Sequence, residues 1–382
     1  MSGGWLVHGL GEDLVDADWP PITLSQVKPV LSAFGLPAVA VTWHSARPLS
    51  AAALVAAGDR TVFVKRHSTE VRSVAGLVEE HAFATHLRRR GIPVPEPLRT
   101  SRGGTVVRRD GWTWEVHERG TGNDLYRETL SWQPFYSATH AHSAGVMLAR
   151  LATAGEDFTA PARVPQPLVT SAAAICNPDL LEGLAHYVAE RPMVRAALEG
   201  RDWQGDVVRD LLPLHLRFAP YAEELPHGWT HGDGHASNFL WGPAGEVSAV
   251  LDLGLSDRTT PILDLATAIE RNAVSWLSPE PAARLDVVDA LLRGWCSVRE
   301  LSEVEAVALP ELLAVVHVEF ALSELGYFHG VTHSAANAQV AYEDYLLGHA
   351  RWHAGPEGKA LRRHLQSVLG RLSSGLPGPV RA

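Results

Sequence analysis

Cysteine is almost absent from this chain of 382 residues. Cys176 and Cys296 are the only two, too few and too isolated for a disulfide framework or a zinc site. Basic blocks are absent as well: 33 Lys and Arg stand against 43 Asp and Glu, a formal charge of −10. No stretch could track a phosphate backbone, which excludes nucleic acid as a partner and suits a cationic small molecule better. No run approaches the roughly 18 apolar residues of a membrane span. Met1-Ser-Gly-Gly-Trp lacks the basic start and apolar core of a signal peptide. A reducing cytoplasm is the expected setting, and nothing in the sequence specifies an oligomeric state.

Two familiar phosphate-binding loops are also missing. No Gly-x-Gly-x-x-Gly precedes Lys65; only Ser45-Ala-Arg-Pro-Leu-Ser50 stands in that place. Gly355-Pro-Glu-Gly-Lys359 has neither the spacing nor the hydroxyl residue of a Walker loop. What is there is a folded composition, 46% hydrophobic and 20% charged, long enough for two lobes. Residues 1–36 form an amino-terminal extension with a short helix near Leu24–Phe34. Strand-like runs follow at Val39–Trp43, Ala51–Ala56 and Thr61–Lys65, joined by glycine turns. A helix is expected from about Thr69 to Arg90, then an extended Pro-rich crossing at Ile92–Pro97 and a hairpin about Asp110-Gly111. Beyond Gly122 the pattern is mostly helical, with stretches at 132–154, 180–190, 203–225, 264–277, 280–295, 303–326, 334–354 and 359–372, and a Gly/Pro-rich tail that frays. Strands first and helices later give an α+β outline: a small amino-terminal lobe at 37–120, a larger lobe at 121–354, and a terminal helix and tail at 355–382.

His231-Gly-Asp-Gly-His-Ala-Ser-Asn238, followed by Leu251-Asp-Leu-Gly254, is the most informative stretch. Asparagine occurs only five times in the chain, so one placed five residues after Asp233 carries weight. An apolar strand at 247–251 delivers Asp252. Asp233 can orient a hydroxyl and accept its proton, while Asn238 and Asp252 offer the hard oxygen ligands that magnesium prefers. His231 is a structural member of the loop. A metal pair with His235 is disfavoured, because an irregular loop with two glycines does not align residues four apart. Asp257 caps a turn.

This segment resembles the aminoglycoside phosphotransferase and choline kinase family, whose loop reads His-Gly-Asp with Asn five residues on. The resemblance spans most of residues 38–354 in element order. It implies a protein-kinase-like two-lobed fold and a magnesium- and ATP-dependent enzyme that phosphorylates a hydroxyl of an aminoglycoside, another sugar-containing metabolite or an amino alcohol. It assigns Lys65 to the nucleotide phosphates with Glu80 as its partner, the backbones of His117 and Arg119 to adenine, and Asp264 to bracing the loop; by itself Asp264 reads as a helix cap. Acceptor residues stay open among Glu311, Glu319, Glu324, Trp203, Trp229 and Trp352. A non-catalytic nucleotide binder with this fold has no need of Asp233. A protein kinase would carry the glycine loop, and arginine where Gly232 stands.

Overall fold

Thr23 starts helix α1 (Leu24–Ala33) with a capping box: its hydroxyl takes the Gln26 N–H, and the Gln26 side chain returns to the Thr23 N–H. In this computed structural model residues 17–373 are described, Ala46 and Thr170 excepted. The amino-terminal residues read for a leader and the tail beyond Ser373 lie outside the described residues.

After α1 come strands β1 (Ala38–His44), β2 (Ala51–Ala57) and β3 (Arg60–Ser68), helix α2 (Val74–Arg89), and strands β4 (Val106–Arg109) and β5 (Trp112–Glu118). The strands form one antiparallel sheet in the order β1-β2-β3-β5-β4. Period-2 alternation turns Val55, Val62, Val64 and Val116 to one side, where Val27, Val30 and Leu31 of α1 join them in a core of their own. The helix set apart in the sequence as an extension therefore belongs to the small lobe's interior.

The larger lobe contains α3 (Ala138–Glu156), α4 (Leu180–Ala189), α5 (Pro192–Leu198), α6 (Trp203–Asp206) and α7 (Leu212–Ala222). Four short strands follow: β6 (Gly228–Thr230), β7 (Phe239–Trp241), β8 (Val247–Val250) and β9 (Asp257–Thr259). Then come α8 (Ile262–Asn272), α9 (Leu285–Cys296), α10 (Glu303–Leu312), α11 (Val318–Gly330), α12 (Ala335–Val340), α13 (Gly348–Ala354) and α14 (Pro356–Ser373). Three expected helices are subdivided. A π-helical stretch at Val207–Leu211 separates α6 from α7, and another at Ala341–Leu347 separates α12 from α13. The expected helix at 303–326 breaks after Leu312, just past Pro310, which supplies no backbone donor.

Two ribbons hold the catalytic segment. β6 pairs with β9, placing Thr230 opposite Asp257, and β7 pairs with β8, placing Phe239 opposite Val250. The His-Gly-Asp turn leaves β6, Asn238 enters β7, and β8 ends just before Asp252. Beneath them α3 and α9 touch through glycines: a Cβ on Gly145 would strike the Leu291 carbonyl, and one on Gly294 the His142 carbonyl. Backbone cannot yield as a flexible side chain can. Gly294→Val should therefore cost upwards of about 2 kcal/mol, read as a lowered urea midpoint; an unchanged midpoint would show that the helices can part freely.

Candidate active site

Asp264 determines the shape of the catalytic turn. Its wholly buried carboxylate accepts the His231 N–H on Oδ2 and the Gly232 N–H on Oδ1, both at 2.8 Å. It does not cap its own helix: α8 begins after Pro261 without a side-chain cap, and the carboxylate faces the loop because the loop's amides are the unpaired donors at hand. His231 is also fully buried and joins the two halves of the motif, its Nε2 lying 2.8 Å from the Leu251 carbonyl oxygen. Gly232 has φ +77°, and a Cβ there would collide with the Leu255 carbonyl, so a larger residue is excluded. Asp252 is itself left-handed, φ 56°, an uncommon conformation for a non-glycine residue and one that concentrates at functional sites.

Asp233 sits at the floor of the cavity between the lobes. Asn238 Nδ2 donates to its Oδ2 at 3.0 Å and to its backbone oxygen at 2.9 Å. His235 Nε2 lies 3.3 Å from Oδ2, and Arg271 Nη2 lies 3.3 Å from Oδ1. Burial raises the Asp233 carboxyl, but His235 and Arg271 outweigh it and hold the group below the usual carboxylate range. His231 and His235 point to different partners, the Leu251 carbonyl and Asp233 Oδ2. Arg271, which the sequence reading missed, is stacked over Trp132 and Phe320 with its guanidinium 4.0 and 4.5 Å from the ring centres. A signal for it existed: it follows Asp264 by seven residues, two helical turns, and so shares the face that meets the loop. Asn272, the next residue, accepts the Ala236 N–H at 2.7 Å.

Lys65, one of only three lysines in the chain, crosses the cleft to Asp252 at 2.8 Å. Burial alone would lower its pKa; Asp252, Glu115 and Glu80 outweigh that and raise it. The expected Lys65–Glu80 pair is replaced. Glu80 Oε2 lies 4.0 Å from Arg72 Nε and 3.9 Å from Arg163 Nη2, two buried arginines that need its charge. Arg72 donates to the carbonyls of Leu168 and Gly254, and Arg163 to those of Gly254 and Ser256. Glu80 thus helps hold α2 against the loop after Asp252.

The adenine expectation needs correcting at His117. Leu98 N–H donates to the Val116 carbonyl and Glu118 N–H to the Glu96 carbonyl, so ladder alternation turns the main chain of His117 inward, opposite Phe63. Backbone open to a base begins beyond the strand, at Arg119 and Gly120, which line the cavity. Across the cleft, Arg47 ties the β1–β2 loop down by donating to the Tyr126 and Thr129 carbonyls, both at 2.7 Å; Ala46 of that loop lies outside the described residues. Of the open acceptor candidates, only Glu324 reaches the cavity. Glu319 takes the Ala174 N–H, Glu311 meets Gln366 of α14, and Trp229 and Trp352 donate to the Ala160 and Pro281 carbonyls, structural duties all. Trp203 packs beside Arg195 on another depression. Asp257 braces β9 to the incoming chain by accepting the Arg163 N–H at 2.7 Å.

A sheet lobe presenting a lysine to a cleft, above a helical lobe with an Asp, Asn and second Asp facing it, defines a kinase-like phosphotransferase. The chain belongs to the phosphotransferase enzyme family, whose sequence profile matches residues 49–301. It is similar to a homoserine kinase of Polaromonas naphthalenivorans (strain CJ2), 27% identical over 248 residues that cover 64% of this chain and 69% of the relative. In fold it is similar to a microcompartment-associated aminopropanol kinase, with a TM-score of 0.58 and 16% identity over 92% of this chain and 98% of the other. An amicoumacin kinase in complex with AMP-PNP, Ca2+ and Ami shares the fold at a TM-score of 0.54, with 14% identity over 81% and 87%. The protein is a small-molecule kinase acting on a hydroxyl acceptor. No helix among the described residues is long and apolar enough to cross a membrane.

Two predictions follow from the site's electrostatics. Asp233→Asn should leave nucleotide binding nearly intact and cut transfer roughly 10² to 10⁴-fold, measured by single-turnover phosphorylation beside a nucleotide titration. Loss of both would make Asp233 a metal ligand. Burial pushes Glu324 up to about 8 from an ordinary 4.5. The folded protein therefore keeps it neutral while the unfolded chain ionises it, and stability present below pH 4.5 erodes as pH rises toward 8. Glu324→Gln should gain in Tm relative to the parent between pH 5 and pH 8; a constant difference would contradict this.

Proposed function

We propose that the protein is an ATP- and magnesium-dependent kinase that phosphorylates the hydroxyl of a compact amino alcohol or hydroxy amino acid. The observation that carries the reading is the Asp233 carboxylate, which lines the cavity shared with Lys65, Asn238 and Asp252 and is held in place there by Asn238, His235 and Arg271. A hydroxyl placed there would donate to this carboxylate and be turned toward the terminal phosphate. Arg119 and Gly120 offer backbone to adenine, and Lys65 would exchange its contact with Asp252 for the phosphates. Asn238 and Asp252, an amide oxygen and a carboxylate, fit magnesium by donor chemistry. The cation would neutralise phosphate charge when bound; the chain's own share is to orient the hydroxyl and hold its proton.

Two features support a compact acceptor. One cavity of about 700 Å³ has to hold nucleotide and acceptor together, which disfavours a molecule of several sugar rings. Its inner end is lined by Arg271, Glu324, Phe320, Phe328 and Trp132, a cation and an acid among aromatic walls. A molecule carrying an amine, with or without a carboxylate, suits that lining. The similarity to proteins named homoserine kinase agrees with it.

The test is ATP consumption, with the phosphorylated product identified by mass, against homoserine, aminopropanol, choline and a set of aminoglycosides. Turnover confined to aminoglycosides would overturn the acceptor class. Asp252→Ala should abolish the magnesium-dependent part of ATP binding in calorimetry. Equal, tight ATP binding with and without magnesium in the parent would overturn the cation assignment.

A further inference from the structure

Behind the transfer site, one buried carboxylate gathers three imidazoles. Glu115 Oε1 lies 2.8 Å from His67 Nε2, while Oε2 lies 2.7 Å from His81 Nε2 and 2.8 Å from His117 Nε2. Glu115 and His117 are two apart on β5 and share a face of the sheet. His67 comes from β3 and His81 from α2, one residue past Glu80. The transfer chemistry uses none of these side chains.

We propose that His81, Glu115 and His117 form a binding site for a divalent cation of the zinc class, separate from the magnesium ligands Asn238 and Asp252. Their ligand atoms lie within 4.8 Å of one another, with both imidazole nitrogens 2.7 and 2.8 Å from Glu115 Oε2, so small side-chain shifts bring all three to the roughly 2.0–2.2 Å bonds of such an ion. Two imidazole nitrogens and one carboxylate oxygen are donors that such ions prefer, whereas magnesium selects oxygens alone. Second partners already orient the ligands. Thr105 Oγ1 lies 2.7 Å from His81 Nδ1, so a hydrogen bond there directs Nε2 to the ion, and His67 holds the other carboxylate oxygen. Charge favours the site as well. Glu115 is only 1% exposed, and Lys65, opposite it in register, is drawn away to Asp252. A fourth position opens on the cavity, which all four residues line. The ion would clamp α2 to the sheet beside Lys65.

The experiment uses the full chain, stripped by chelator, in an Asn238→Ala background that removes the magnesium site from the count and keeps the Lys65–Asp252 pair. Zinc alone is titrated by calorimetry and its stoichiometry checked by elemental analysis. One equivalent per chain is expected, weakened at least 100-fold by His81→Gln and by His117→Gln and unchanged by His186→Gln on the surface, with circular dichroism reporting the fold. Failure to take up zinc, or undiminished binding in both cavity variants, overturns the site. Should both variants unfold, cobalt loaded into the unsubstituted chain decides: ligand-field bands of a mixed nitrogen and oxygen site support the proposal, and their absence refutes it. Neither readout involves phosphate transfer, so failure here leaves the kinase reading untouched.

Discussion

The carboxylate of Asp264, closed off from water, must be satisfied by something, and the N–H groups of His231 and Gly232 are what the fold supplies. That pair of hydrogen bonds bends the turn, and the rest of the site follows from the bend. Gly232 takes the left-handed conformation that no larger residue could occupy beside Leu255. Asp233 is then delivered to the cavity floor, where Asn238, His235 and Arg271 converge on it. A buried acid left without donors would cost several kcal/mol, so the loop is held as firmly as the core around it.

The second organising contact spans the lobes. Lys65 and Asp252 meet across the cleft, and the same two residues are proposed to part when nucleotide and cation arrive. Their separation need not open the protein. Arg72 and Arg163 continue to join α2, the segment near Leu168 and the loop after Asp252 through backbone carbonyls, with Glu80 balancing their charge. Arg47 ties down the loop above in the same manner. Guanidinium groups suit this work because each presents several donors in one plane and stays charged when buried.

Most of the strands, the long helices and the segment that lines the cavity were legible along the chain, because each rests on local rules. Alternation marks β2 and β3, Asp110-Gly111 marks the hairpin between β4 and β5, and three polar residues at set spacing mark the catalytic segment. The interruptions at Val207–Leu211 and Ala341–Leu347 were not legible, since a π turn leaves the apolar repeat almost unchanged. Strands of three residues such as β6 and β9 are likewise too short to show a period.

By itself the sequence picked out Lys65, Asp233, Asn238 and Asp252 as the residues proposed to carry chemistry, and the structure gathers all four around one cavity. Which neighbour each one touches was decided only in three dimensions. Glu80 was a reasonable partner for Lys65 by spacing, yet two arginines 91 positions apart in the chain, Arg72 and Arg163, converge on it instead. Arg271 reached Asp233, and three histidines reached Glu115, through contacts between separate elements. The physical reason is that spacing sets the face on which a side chain emerges, whereas charge pairing depends on what tertiary packing brings to that face, and burial makes the pairing obligatory.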